Sequence, residues 1–178
     1  AVQTESGTRH AEAPLLLLPR PEEARVKRVF GRSELLKEPL RILATNGRGA
    51  MLWAPIAWGT LASRYDALLA ANFDPDHPED RWVMLTRCRA WLVYQGFSQD
   101  INLDCLQAFA AGNSGGAFWR YKIPSGQGQH VMLTIALDMV PGRNAIRIAF
   151  HRHGAGKDAA RLTDATPVRL VLRPDIEN

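Results

Sequence analysis

His151 and His153 stand two residues apart, a spacing that puts both imidazoles on one face of a strand and would give a zinc ion two ligands. A third ligand would have to come from His130, Asp138 or Asp158 by folding, and no local motif supplies it. The pair therefore reads more simply as two surface histidines at a strand end. Cys88 and Cys105 make neither a metal motif nor a disulfide framework, and they read as buried thiols packed as small hydrophobes. Ser114, within Gly112-Asn113-Ser114-Gly115-Gly116, has the Gly-x-Ser-x-Gly outline of a nucleophile turn. No helical run follows to complete the strand-turn-helix setting, which leaves a glycine loop. Asp66, Asp100, Asp104 and Asp138 could serve glycoside hydrolysis only as two carboxylates facing across a cleft, and their spacing pairs no two of them. Gly47-Arg48-Gly49 lacks the second half of a phosphate-binding fingerprint. These patterns assign no catalytic residue, no metal and no cofactor.

The tryptophans are more suggestive. Trp53, Trp58 and Trp119 fall in or beside glycine-containing segments that read as loops. Indole faces in loops can stack on sugar rings while nearby Arg, Asn and Asp bond the hydroxyls. A small β core with long connections would place tryptophans in the same way, and both readings stay open here.

The elements that must position these residues are mostly strands. The chain has 178 residues, 46% of them hydrophobic and 22% charged, which is globular composition. No apolar run approaches the roughly 18 residues that cross a bilayer. With Leu15–Leu18 too short even for a signal-peptide core, the chain is expected to be soluble and cytoplasmic, with no membrane partner. The net charge of +4 is scattered singly rather than gathered on a stripe, which argues against a nucleic-acid partner. Residues 1 to about 24 have linker composition and are expected to form a tail, followed by one domain over 25–178. The first residue is Ala and the last strand-like run stops at the end of the chain, so a piece of a longer multidomain enzyme is expected.

From Arg25 onward the pattern has period two. Strands are expected at Val26–Phe30, Leu40–Ala44, Tyr65–Phe73, Trp82–Tyr94 and Val168–Arg173, with a helical turn at Ser33–Glu38 capped by Ser33. His130–Val140 and Ala145–His151 read as a hairpin around Pro141-Gly142-Arg143-Asn144. The fold class is mainly β: an antiparallel sandwich of two packed sheets with little helix.

Residues 45 to 69 carry a more specific signal. Thr45-Asn46-Gly47-Arg48-Gly49, then Gly59, then Arg64-Tyr65-Asp66-Ala67-Leu68-Leu69 resembles the N-terminal domain of bacterial and archaeal glycogen debranching enzymes. That family shows Thr-Asn-Gly-x-Gly, a later Gly, and Arg-Tyr-His-Gly-Leu-Leu. Val83-Met84-Leu85 and the closing run Val168 to Pro174 are similar too, so the resemblance spans about residues 40 to 178. Two positions depart from it: Asp66 stands where the family has His, and Ala67 where it has Gly. Asp66 either replaces a substrate contact or simply bonds the adjacent turn.

The resemblance implies a super-sandwich preceding an (α/α) barrel that carries the catalytic carboxylates for α-1,6-glucosidic hydrolysis. The sandwich then supports the barrel of the same parent chain and helps shape an α-glucan cleft. Asn46, Arg48, Trp53, Trp58, Arg64, Tyr65, Asp66 and, more loosely, Trp119 are the expected sugar contacts, with Arg64 and Asp66 bonding hydroxyls and the tryptophans stacking. Arg64 and Tyr65 read equally as a structural pair buried between the sheets, and two alternatives remain for the domain: a purely structural one whose exposed apolar face docks the barrel, and an independent carbohydrate-binding module. Asn46 and Gly49 are expected to serve the turn by tolerating positive φ.

Overall fold

Alternation of apolar and polar residues along most strands leaves each sheet with one face to bury, and two such faces close on each other. A computed structural model of the chain describes residues 2–4, 7–9, 27–37, 39–74, 76–77, 80–112 and 116–176. Among these, β1 (Val2–Thr4) and β2 (Gly7–Arg9) pair with each other inside the stretch expected to be a tail. The leucine patch at 15–18, Val26, Glu38 and the centre of the 112–116 glycine loop lie outside the described residues.

One sheet has five strands: β3 (Lys27–Gly31), β9 (Leu106–Gly112), β10 (Gly116–Gly126), β11 (Gln129–Met139) and β12 (Ile146–Arg152). Their spatial order is β12-β11-β10-β9-β3. The other contains β4 (Arg41–Thr45), β5 (Met51–Pro55), β6 (Ala67–Asn72), β7 (Arg81–Tyr94) and β13 (Arg169–Ile176), in the order β13-β7-β6-β5-β4. A sixth strand, β8 (Phe97–Asp100), pairs with β7. Every neighbouring pair of strands is antiparallel. The expected hairpin and the strands at 40–44, 65–73, 82–94 and 168–173 are all present, with ends shifted by a few residues.

The helical turn differs from expectation. α1 (Arg32–Leu35) starts one residue before Ser33 and is capped by Gly31, whose N–H donates to the Glu34 carboxylate at 2.8 Å. Arg32 holds this turn to the chain entering the neighbouring strand β9, donating to the carbonyls of Asp104 and Leu106 at 2.7 and 2.8 Å. Ser33 falls inside the helix, one position past its first residue, and so is not at the cap.

The core lies between the sheets and is built around aromatics. Trp58 meets Trp119 edge-on at 5.2 Å between centroids, and Phe150 at 6.2 Å; Phe109 lies 5.1 Å from Trp119. The Trp119 indole N–H donates to the Ile56 carbonyl at 2.7 Å, tying the five-stranded sheet to the chain leaving β5. Cys88 and Cys105 are buried and unbonded to each other, and burial pushes both thiols up from their ordinary range.

Candidate functional site

Asn46 organises the first expected site segment, by a route other than backbone φ. The positive φ values fall on Gly47 (76°) and Gly49 (91°), where a side chain would be strained. The buried Asn46 side chain instead takes the Arg48 and Ala50 N–H groups on Oδ1, at 2.7 and 3.0 Å. Its Nδ2 donates to the Arg143 carbonyl at 2.8 Å and to Asn144 Oδ1 at 3.1 Å. Asn144 in turn donates to the Asn72 carbonyl at 3.2 Å. Gly142 N–H closes the link by donating to the Asn46 carbonyl at 3.1 Å. Three loops, 46–49, 72–74 and 141–144, drawn from both sheets, are thus bolted together at one end of the sandwich.

Between these loops lies an open groove of about 650 Å³, lined by Arg48, Phe73, Asp74, Arg143 and Asn144 among others. Both guanidinium groups are exposed, and Arg48 reaches the Gly142 carbonyl at 3.3 Å. Asp74 is kept ionised below the usual carboxylate range by hydrogen bonds from the Asp76 N–H and His77. Phe73 is 61% exposed and stands 6.4 Å from Trp82, itself 52% exposed, in a T-shaped pair. The arrangement offers hydrogen-bond donors, an acceptor and, in Phe73 with Trp82 packed against it, an aromatic surface to a polyhydroxylated ligand. Among the described residues Asp74 is the groove's carboxylate, so it lacks the facing pair that hydrolysis of a glycosidic bond requires.

The structure sorts the remaining expected residues. Trp119 sits in the middle of β10, not in a loop, and is 1% exposed; Trp58 is buried beside it. Trp53 is likewise in a strand, β5, on the outer sheet face with the Arg41 guanidinium 5.1 Å over its ring. None of the three lines the groove. Arg64 and Tyr65 are not buried between the sheets: Tyr65 is 64% exposed, accepting from Arg64 at 2.6 Å with the guanidinium 4.8 Å over its ring. Asp66 is fully buried and occupied, with Oδ2 accepting from Ala62 and Ser63 N–H at 2.6 and 2.9 Å and Oδ1 bound by Arg41 at 2.5 Å. Burial works to raise its pKa, but the Arg41 hydrogen bond, the two backbone donors and the Arg41 charge outweigh it and hold it low. Its bonding completes the 62–66 turn.

His151 and His153 do share a region of surface, with rings 4.8 Å apart edge to face. No group of three His, Cys, Asp or Glu side chains among the described residues could hold a metal ion. His130 instead faces Asp158 at 3.4 Å, and Asp138 lies opposite Arg147 across the β11–β12 ladder. Phe73 and Trp82 escaped the sequence reading. Trp82 shares the alternation of the core residues Cys88, Ala90 and Leu92, yet lies near the start of β7 beyond the buried part of the strand.

A family model described as glycogen debranching enzyme N terminal matches residues 41–178. No curated protein and no solved structure matches the chain.

Proposed function

Because the chain belongs to the glycogen debranching enzyme N-terminal family, we propose that it is a non-catalytic sandwich domain of a debranching-type glycoside hydrolase, supporting the catalytic (α/α) barrel of its parent chain and contacting α-glucan at the groove. The observation that carries this reading is the meeting, at one open end of the sandwich, of exposed Arg48 and Arg143 with the half-exposed Phe73–Trp82 pair. Glucan chains present hydroxyls at their edges and C–H surfaces on their faces, so guanidinium donors beside aromatic faces match both. The Thr-Asn-Gly-x-Gly segment serves this groove through Asn46, which fixes its walls, and Arg48, which reaches into it.

Native electrophoresis with glycogen cast in the gel tests the contact. The chain is expected to be retarded, a Phe73→Ala/Trp82→Ala variant to run freely, and an Arg64→Ala variant to be retarded like the parent. Free migration of the unaltered chain at high glycogen would remove the contact and leave a scaffold.

The purely structural alternative draws on the outer face of the six-stranded sheet. Leu43 is 59% exposed there beside half-buried Trp53 on the neighbouring strand, and Val171, paired with Trp91, is exposed at the opposite edge of the sheet. In this reading that face receives the barrel, its exposed apolar residues interspersed with the Arg87–Asp175 and Arg89–Asp175 ion pairs.

A further inference from the structure

We propose that the outer face of the five-stranded sheet is a binding trough for a phosphomonoester carried on a compact body with an apolar face, the chemistry of a sugar phosphate. The registers across the sheet place Ala108, Arg120, Thr134 and His151 in one row over four strands. The next row is Val29, Ala110, Phe118, Ala136 and Ala149. Small side chains flanked by Val29 and Phe118 leave a trough of about 510 Å³, a small-molecule volume, with Arg120, His151, His153 and Lys27 around it. Among the described residues no carboxylate lines it.

The positive charge there is uncompensated. Arg120 makes no hydrogen bond or ion pair among the described residues, and Lys27 rests its ammonium 5.3 Å over the Phe118 ring. His153 Nε2 is engaged with Thr134 Oγ1 at 2.7 Å, leaving its Nδ1. Burial holds the His153 imidazole below its usual range, and the charges that add to this effect, His151, Arg120 and Arg161, are all basic. Asp138 lies one row beyond Ala136, in the row that Lys27 begins, and stands opposite Arg147.

Two permanent cations match a phosphate dianion, whereas a single carboxylate would leave one unmatched; the guanidinium supplies directed donors to its oxygens. The alanine floor and Phe118 ring then suit the C–H face of a compact ring. This trough shares no residue with the groove at the sandwich end, so failure of glycogen binding leaves it untouched.

Isothermal titration at low ionic strength with glucose 6-phosphate, glucose and inorganic phosphate tests the proposal. Glucose 6-phosphate is expected to bind, inorganic phosphate more weakly, and glucose not at all. Arg120 is exposed, so Arg120→Ala should leave the fold intact, checked by circular dichroism, and weaken binding about tenfold or more. Ala136→Leu fills the floor without touching the charges and should abolish binding. Absence of binding by the unaltered chain, equal affinity for inorganic phosphate, or full affinity in either variant would overturn it.

Discussion

The turns at 46–50 and 62–66 use one device for different ends. In each, a side-chain oxygen takes two backbone N–H groups of a tight turn: Asn46 those of Arg48 and Ala50, Asp66 those of Ala62 and Ser63. They differ in what the other half of the side chain does. The Asn46 amide, neutral and able to donate, crosses to the 141–144 loop of the opposite sheet and builds a groove. The Asp66 carboxylate accepts only, so its second oxygen goes to a cation, Arg41, within its own sheet. One motif residue therefore shapes a surface, and the other holds the fold.

The largest effect should follow from breaking the second turn. Asp66→Ala strands the Arg41 guanidinium and two N–H groups, and should cost about 3 kcal/mol, or a melting temperature lower by roughly 6–12 °C. A loss below about 1 kcal/mol in urea unfolding would break the comparison. Because the folded-state pKa of Asp66 is depressed, its contribution is present above the unfolded value near pH ~3.9 and is lost as pH falls through the folded value. Urea midpoints recorded from pH 6 downward should therefore fall less steeply for Asp66→Asn than for the unaltered chain; parallel curves would contradict the assignment.

Asn46→Ala removes neutral hydrogen bonds and should cost less, about 2 kcal/mol, but it should also abolish retardation by glycogen. Asp66→Asn, under conditions where it stays folded, should keep that retardation, and the opposite ranking would reverse the two roles. Smallest of all, Arg64→Ala should change stability by less than about 0.5 kcal/mol, since its contact with Tyr65 is exposed.

Much of the fold was legible because periodicity is local. The alternation in β7, β11, β12 and β13 follows from the residues alone. Trp119 was misread as a loop residue because of the glycines before it, although Ala117, Trp119, Tyr121 and Ile123 alternate inward with Phe118, Arg120 and Lys122 outward. The candidate site was harder to read because its parts are distant in sequence. Asn46 meets residues 143 and 144 only through folding, and nothing local distinguishes Trp82 from the core tryptophans. Its exposure depends on where the inner faces of the two sheets stop covering each other. The motif residues themselves stood out from the sequence, whereas the split between Asn46 and Asp66 needed their partners.

The most direct test of the groove is amide NMR of the isotopically labelled chain titrated with a linear malto-oligosaccharide. Shifts concentrated at Arg48, Gly49, Phe73, Asp74 and Asn144, with the amides around Asp66 and Trp119 unmoved, are the predicted result. No shifts at saturating sugar, or shifts centred on Arg64 and Trp53 instead, would contradict the assignment of the groove to α-glucan.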